Sequence, residues 1–341
     1  MQFQRKTAVL LVMAGLWGSG GCGGEDEAST GGAVQDGGSS GAVMSATPLP
    51  EGAQAVSLLG EPLFPPALPE EVLARREQQL AEALQDLEVD PHGADAIIWA
   101  ARRYAYLGDY RKAIELFGEG MTSHPDDARF YRHRGHRYIS VREFDNAIAD
   151  FRKAAELIEG TGDEIEPDGQ PNAMGIPTST LHFNIWYHYG LAHFLKGEFE
   201  EAEEIYWRCM EASVHADSKV ATAHWLYMAL RRSGQDQEAR ALIEGMDLDR
   251  WASEVIESDS YLELLRLYAR AGGAPGESMP ELDPGTMEGA ALGYGAGNFY
   301  LYNGYPDEAR AVYEGIVAAR GQWASFGFIA AEADLAHLGG E

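Results

Sequence analysis

Residues 94–127 read ADAIIWAARRYAYLGDYRKAIELFGEGMTSHPDD, and residues 128–161 follow directly as ARFYRHRGHRYISVREFDNAIADFRKAAELIEGT. The blocks are equal in length and carry the same residue classes in the same order. The first gives Ala101, Tyr104, the turn Gly108-Asp109-Tyr110, then Ala113, Phe117 and Pro125. The second gives Gly135, Tyr138, the turn at Glu143-Phe144, then Ala147, Phe151 and Ala154. Positions i and i+4 share one face of a helix, so an alanine four ahead of an aromatic sets a shallow site beside a bulky one. A short turn between two such stretches makes them antiparallel neighbours. A small residue on one helix then lets the other approach to roughly 8–10 Å. A lone hairpin leaves its apolar face uncovered, so the pattern predicts hairpins stacked side by side.

The same order recurs along the chain. Residues 183–216 carry Trp186, Gly190, Gly197-Glu198-Phe199, Ala202, Tyr206 and Cys209, and residues 220–253 carry Leu226, Gly234, Ala239 and Ile243. Residues 290–319 show Gly297, Tyr300, Gly304, Ala309 and Tyr313. Between them a degenerate unit, 258–287, has a first helix marked by Tyr261, Leu264, Leu265 and Tyr268, whereas Gly273 to Gly285 is dense in glycine and proline. Ala147 and Ala202 stand one period apart plus a 21-residue insertion, which covers 160–180. Pro69-Glu70-Glu71 opens a helix ahead of the first block, with proline at the first turn and acids at the positive end of the dipole. Trp323 to Leu338 can form a closing helix.

The 34-residue period and these residue classes resemble the tetratricopeptide repeat (TPR), a helix-turn-helix unit. The resemblance implies an all-α, TPR-like helical-hairpin solenoid over 69–338, with an N-terminal half-repeat and a C-terminal capping helix. Arg142 stands where such a turn has glycine, and Tyr227 where it has a small residue.

The chain of 341 residues has a formal charge of −28. Without the first 22 residues, which hold Arg5, Lys6 and no acid, the charge is −30. Such a surface repels phosphate, and nucleic acid is not an expected partner. Residues 1–22 read as an export signal: a basic start, an apolar run from Ala8 to Trp17, and the small residues Ser19-Gly20-Gly21 before Cys22. This resembles a bacterial lipoprotein signal, which implies lipidation at Cys22, export, and a membrane anchor facing the periplasm. Ser19 departs from that family's usual Leu, Val or Ile, and plain cleavage or a retained anchor are the other readings. Residues 23–68, rich in Gly, Ser and Pro, are expected to form a disordered tether. Only Cys209 remains besides Cys22, so no disulfide framework exists.

In the repeat family, a stripe on the first helix of each hairpin lines the inner wall. Carried onto this chain, the resemblance implies a groove of Arg102 from the first unit, Arg129, Arg132 and His136 from the second, and Asn184, Tyr187 and Phe194 from the third. The fourth gives His224, Met228 and Arg231, with Arg232 beside it. A basic and aromatic stripe in an acidic protein suits a protein or peptide partner, acidic or ending in a carboxylate. The competing account pairs these arginines with acids on adjacent turns and leaves the wall solvated. The Lys/Asn clamp by which some family members grip two carboxylates is not matched, since Ile98, Arg102, His133 and His188 occupy its places.

The expected function is therefore a noncatalytic adaptor or scaffold of the cell envelope, without cofactor or metal. Glu164-x-Glu166-x-Asp168-Gly169 has half of a calcium loop but lacks the twelfth-position glutamate, where Gly175 falls. His133, His136, His182, His188 and His193 lack strong ligand spacing. An envelope hydrolase, or a small-molecule or metal-binding protein, using the 160–180 insertion and these histidines is the alternative. A third possibility is self-association through the inner wall.

Overall fold

The computed structural model describes residues 49–270 and 283–339. The signal segment, Cys22 and the tether up to residue 48 lie outside the described residues, as does 271–282 in the degenerate unit.

A lone helix, α1 (Glu70–Val89), precedes the first hairpin, α2 (Ala94–Tyr106) and α3 (Tyr110–Ser123). The second is α4 (Ala128–Ser140) with α5 (Phe144–Ile158), and the third, beyond the insertion, α6 (Leu181–Leu195) with α7 (Phe199–Ala212). Then come α8 (Ala216–Arg232) and α9 (Asp236–Glu244), the short α10 (Leu248–Ala252), and α11 (Asp259–Ala269). The last hairpin is α12 (Met287–Tyr302) with α13 (Pro306–Ala318), and α14 (Phe326–Leu338) closes the chain. Each helix packs on its sequence neighbour through most of the array, as stacked hairpins require.

The phased pairs explain the stacking. Ala113, Ala147, Ala202, Ala239 and Ala309 are fully buried, and their large partners Phe117, Phe151, Tyr206, Ile243 and Tyr313 are buried with them. Phe151, Tyr206 and Tyr313 each fill a hole left by a glycine on the partner helix, Gly135, Gly190 and Gly297. A methyl on Gly190 would stand 2.9 Å from the Tyr206 ring. The turn closing the first helix of each hairpin needs a left-handed residue, supplied by Gly108, Gly197, Gly234 and Gly304. In the second hairpin Arg142 takes that conformation, at φ +66°.

Two boundaries differ from the sequence reading. Residues 49–68, assigned to the tether, carry a small antiparallel hairpin, β1 (Ala55–Val56) with β2 (Pro62–Leu63). Arg111 donates from Nε to Gln54 O at 2.7 Å, and Trp323 Nε1 donates to Phe64 O at 2.7 Å. The strands are too short for alternation to show in sequence, and the groups that order them lie far along the chain. The C-terminal helix is also more than a cap. It packs on α12 and α13 and reaches α6. Its Asp334 holds Arg232 by two oxygens at 2.9 and 3.0 Å, and its Phe326 ring lies 5.3 Å from His136.

Candidate functional site: a basic cavity beneath the insertion

Turns of α2, α3, α4 and α6, the 160–180 insertion and the loop carrying Glu257 line a cavity of about 220 Å³. From α2 come Arg102 and Tyr106, one helical turn apart. From α4 come Arg132, His133, His136 and Arg137, whose spacing puts two i, i+4 pairs on one stripe. Asn184 enters from the first turn of α6, and Glu166 from the insertion.

Arg102 is held by the Tyr106 hydroxyl, 3.3 Å from Nε and 3.2 Å from Nη2, and lies 4.3 Å above the Trp99 ring. Arg137 lies 5.3 Å from the Tyr110 ring centre, and burial pulls its pKa down to about 10. Among the described residues neither guanidinium forms a salt bridge with a carboxylate. Arg132 alone has one: its Nε is 2.8 Å from Glu166 Oε2, both side chains being 9% exposed. The approach is off-axis, and the Nε–H lacks an aligned acceptor. Burial lowers the Arg132 pKa while Glu166 opposes the shift.

Glu166 also accepts from Asn184 Nδ2 at 3.2 Å. His133 lies beside it, its Nε2 3.9 Å from Glu166 Oε1 and its Nδ1 3.0 Å from Arg132 Nη1. Burial first, and then the neighbouring arginines, push the His133 pKa well below its usual value, so the ring is neutral and accepts the arginine proton at Nδ1. His136 and His188 are depressed likewise, mainly by burial. Two further acids, Asp168 and Glu257, line the exposed rim. The Asp168 carboxylate accepts from the Gln170 amide, and Glu257 bonds the Thr178 hydroxyl. The floor is thus cationic and holds one inward carboxylate.

Of the eleven residues expected along a groove, the structure gathers Arg102, Arg132, His136 and Asn184 here. The other seven lie elsewhere, so the continuous open stripe is corrected. Arg129 sits at the surface between Asp127 and Asp95, at 2.6 and 2.7 Å, and its hydrogen bond to Asp127 raises its pKa. Tyr187 is buried and accepts from Trp225 Nε1 at 2.8 Å. Phe194 is edge-on to Trp225, Phe199 and Tyr294. His224 stacks on Tyr261 and Tyr268, and Met228 is fully buried. Arg231 pairs with Asp236 and Arg232 with Asp334. The physical reason is that the later helices cover this wall. For α6 the signal was in the sequence, since LHFNIWYHYGLAHFL has no charged face to give to solvent and 12 of its 15 residues are buried. The helix α8 carries Asp217, Lys219, Arg231 and Arg232 and gives no such sign, although 14 of its 17 residues are buried. Tyr106 and Arg137 were the residues missed. A stripe carried over from the family passes beside Arg137, whereas its i+4 relation to His133 marks it.

The alternating acids of the insertion do not face one ion. Glu166 turns inward to Arg132, whereas Glu164 and Asp168 are exposed. Among the described residues no group of three or more His, Cys, Asp or Glu could hold a metal, and no helix is long and apolar enough to cross a membrane.

Residues 183–213 match the tetratricopeptide repeat family. No curated protein matches the chain. Among solved structures, PilF of Pseudomonas aeruginosa is 14% identical, with 72% of this chain and 84% of that one covered, at a TM-score of 0.41. A tetratricopeptide repeat protein of Parabacteroides merdae is 15% identical, with 72% and 73% covered and a TM-score of 0.40. YrrB, described as a TPR protein with an unusual peptide-binding site, is 15% identical, with 70% and 91% covered and a TM-score of 0.39. The fold is an all-α, TPR-like hairpin solenoid, and its third hairpin, α6 with α7, is the stretch that matches the repeat family.

Proposed function

We propose that the protein is a noncatalytic adaptor of the bacterial cell envelope, lipid-anchored at Cys22, that seats an acidic side chain or terminal carboxylate of a protein partner in the cavity between α2, α4 and the insertion. One observation carries this reading: three guanidinium groups converge on a cavity that holds a single inward carboxylate. Arginine forks match carboxylate geometry, and in a half-buried site such bonds are stronger than at an open surface. The walls beside them are Tyr106, Phe117 and Ala105, which suit the stem of a side chain rather than a large apolar ligand. The overall charge of −28 disfavours a phosphate polyanion such as nucleic acid.

The test uses labelled peptides of one sequence, ending in glutamate with a free carboxylate or in glutamine with an amide. Arg102→Ala and Arg137→Ala should each weaken binding of the acidic peptide about tenfold to a hundredfold, since a charge-assisted bond contributes about 1.5–3 kcal/mol. Equal binding of the two peptides overturns the cavity assignment. For the anchor, Cys22→Ala should move the protein from the membrane to the soluble fraction, and unchanged partition overturns lipidation.

A further inference from the structure

We infer that Glu166 occupies the place of the ligand's own carboxylate, so that the 160–180 insertion is a built-in competitor which must withdraw before a partner binds. This rests on the carboxylate-binding reading above.

The geometry at Arg132 marks Glu166 as a substitutable occupant. Its oxygen reaches Nε at 2.8 Å without alignment, and Asn184 adds one longer bond at 3.2 Å. A carboxylate arriving on an independent chain is free to align with two guanidinium nitrogens, which Glu166 on its short strap does not. Arg102 and Arg137 stand nearby without acids, so the incoming group meets more positive charge than Glu166 alone neutralises.

The strap itself is held lightly. Its base is one antiparallel bridge, Ile165 with Thr180, supported by Leu181 N donating to Glu164 O at 2.9 Å. Over the cavity it is tied by Arg103 Nη1 to Gly169 O at 3.2 Å, by Arg76 Nη2 to Gln170 Oε1 at 3.1 Å and by the Thr178 hydroxyl to Glu257. Its large apolar residues contribute little: Ile165, Met174 and Ile176 are 63%, 66% and 40% exposed. A segment with few buried apolar groups and several edge hydrogen bonds opens at low cost relative to the packed helices.

The consequence is a competition. If the strap holds the site in nine molecules of ten, apparent affinity falls about tenfold below the intrinsic value. Glu166→Gln keeps the shape and the Asn184 contact while removing the charge. A labelled hexaglutamate peptide and free succinate serve as probes, which separates a peptide-borne from a free small carboxylate. Glu166→Gln should bind hexaglutamate about tenfold tighter than the natural chain, whereas Asp168→Asn at the rim should change binding less than about twofold. Tighter binding of succinate alone would assign the site to a small free acid. Because the uncharged variant leaves Arg132 without a carboxylate partner and lowers the stability of the fold, amide exchange on the unaltered protein provides a second reading. Hexaglutamate should speed exchange at Glu166 and at Leu181, whose amides bond across the base of the strap, and leave α4 and the rest of α6 protected. If Glu166→Gln and the natural chain bind hexaglutamate equally, or the strap amides are unmoved by bound peptide, the competitor role is wrong while the carboxylate site stands. If neither protein binds either probe, both fail.

Discussion

Arg142 and Glu332, 190 positions apart in the chain, form a buried two-pronged ion pair, Nη2 to Oε2 at 2.8 Å and Nε to Oε1 at 3.1 Å, with side chains 3% and 1% exposed. Arg142 also donates to Ser140 O and Trp323 O, and Glu332 accepts from the Leu58 amide at 2.6 Å. The same arginine occupies the left-handed turn position, a conformation that costs a side-chain-bearing residue about 1–2 kcal/mol. The pair explains why a residue other than glycine is held there.

Removing one partner strands the other charge in the interior. Glu332→Ala should destabilise the fold by about 3–5 kcal/mol, read as a lower urea midpoint. Arg142→Gly should cost less, because the backbone strain is relieved at the same time. A Glu332→Ala loss under about 1 kcal/mol would show that water reaches the pair.

Two glycines should respond in opposite directions to the same substitution. A methyl on Gly297 would fall 2.3 Å from a Tyr313 ring carbon, and that ring is fully buried with no space to move. Gly297→Ala should cost about 2–3 kcal/mol by overpacking. Gly315, exposed within α13, has open space where its methyl would go. Gly315→Ala should stabilise by about 0.5–1 kcal/mol through helix propensity and a less flexible unfolded chain. Thermal unfolding of the two variants beside the natural chain checks both signs.

The hairpins were legible in the sequence because their determinants are local. Ala147 and Phe151 lie four apart, and Gly197 ends its helix by its own backbone freedom. The departure at Arg142 was visible too, but not its cause, since Glu332 lies almost two hundred residues away. The site was half legible. Arg102, Arg132, His136 and Asn184 follow from a repeated stripe, whereas the role of Glu166 depends on how an irregular insertion folds back. Tyr187, Phe194, His224 and Met228 were placed on the wrong side of solvent because the stripe assumes an open inner wall. Nothing local to α8 states that α12 returns to cover it, whereas the lack of a charged face on α6 marks that helix as covered.

Acid should destabilise the protein before any carboxylate titrates. Burial holds His133, His136, His188 and His224 below their ordinary value of 6.5, His224 at about 3. His224 is enclosed by Trp225, Tyr261 and Tyr268, with its Nδ1 3.1 Å from the Tyr268 hydroxyl. The unfolded chain takes up these protons below pH 6.5 and the folded chain does not. Stability is therefore full above 6.5 and falls as pH decreases, by about 2 kcal/mol at pH 5 from His224 alone. Asp150, whose pKa is raised by burial, acts in the opposite sense, but only in the carboxylate range. Urea midpoints at pH 7.5, 6 and 5 should fall in that order, and a flat profile would refute neutral buried rings.

Cys209 should be silent as a thiol. It is fully buried, its Sγ is 3.1 Å from the Thr222 hydroxyl, and burial pushes its pKa up to about 12. In a Cys22→Ser chain, Ellman's reagent should find no reactive thiol in buffer and one in denaturant. Prompt labelling in buffer would mean that α7 and α8 part readily.

Glu332 joins the last helix to the strand pair that begins the described chain, and Trp323 repeats the tie at Phe64. An ordinary repeat array is a row that can be lengthened, shortened or unzipped from a free end. Here the first and last elements are clasped, which fixes how many units fit between them. A pull applied at Leu49, where the described chain begins, is divided between α3, through Gln54, and α14, through Leu58, which ties the opening of the first element to that of the last.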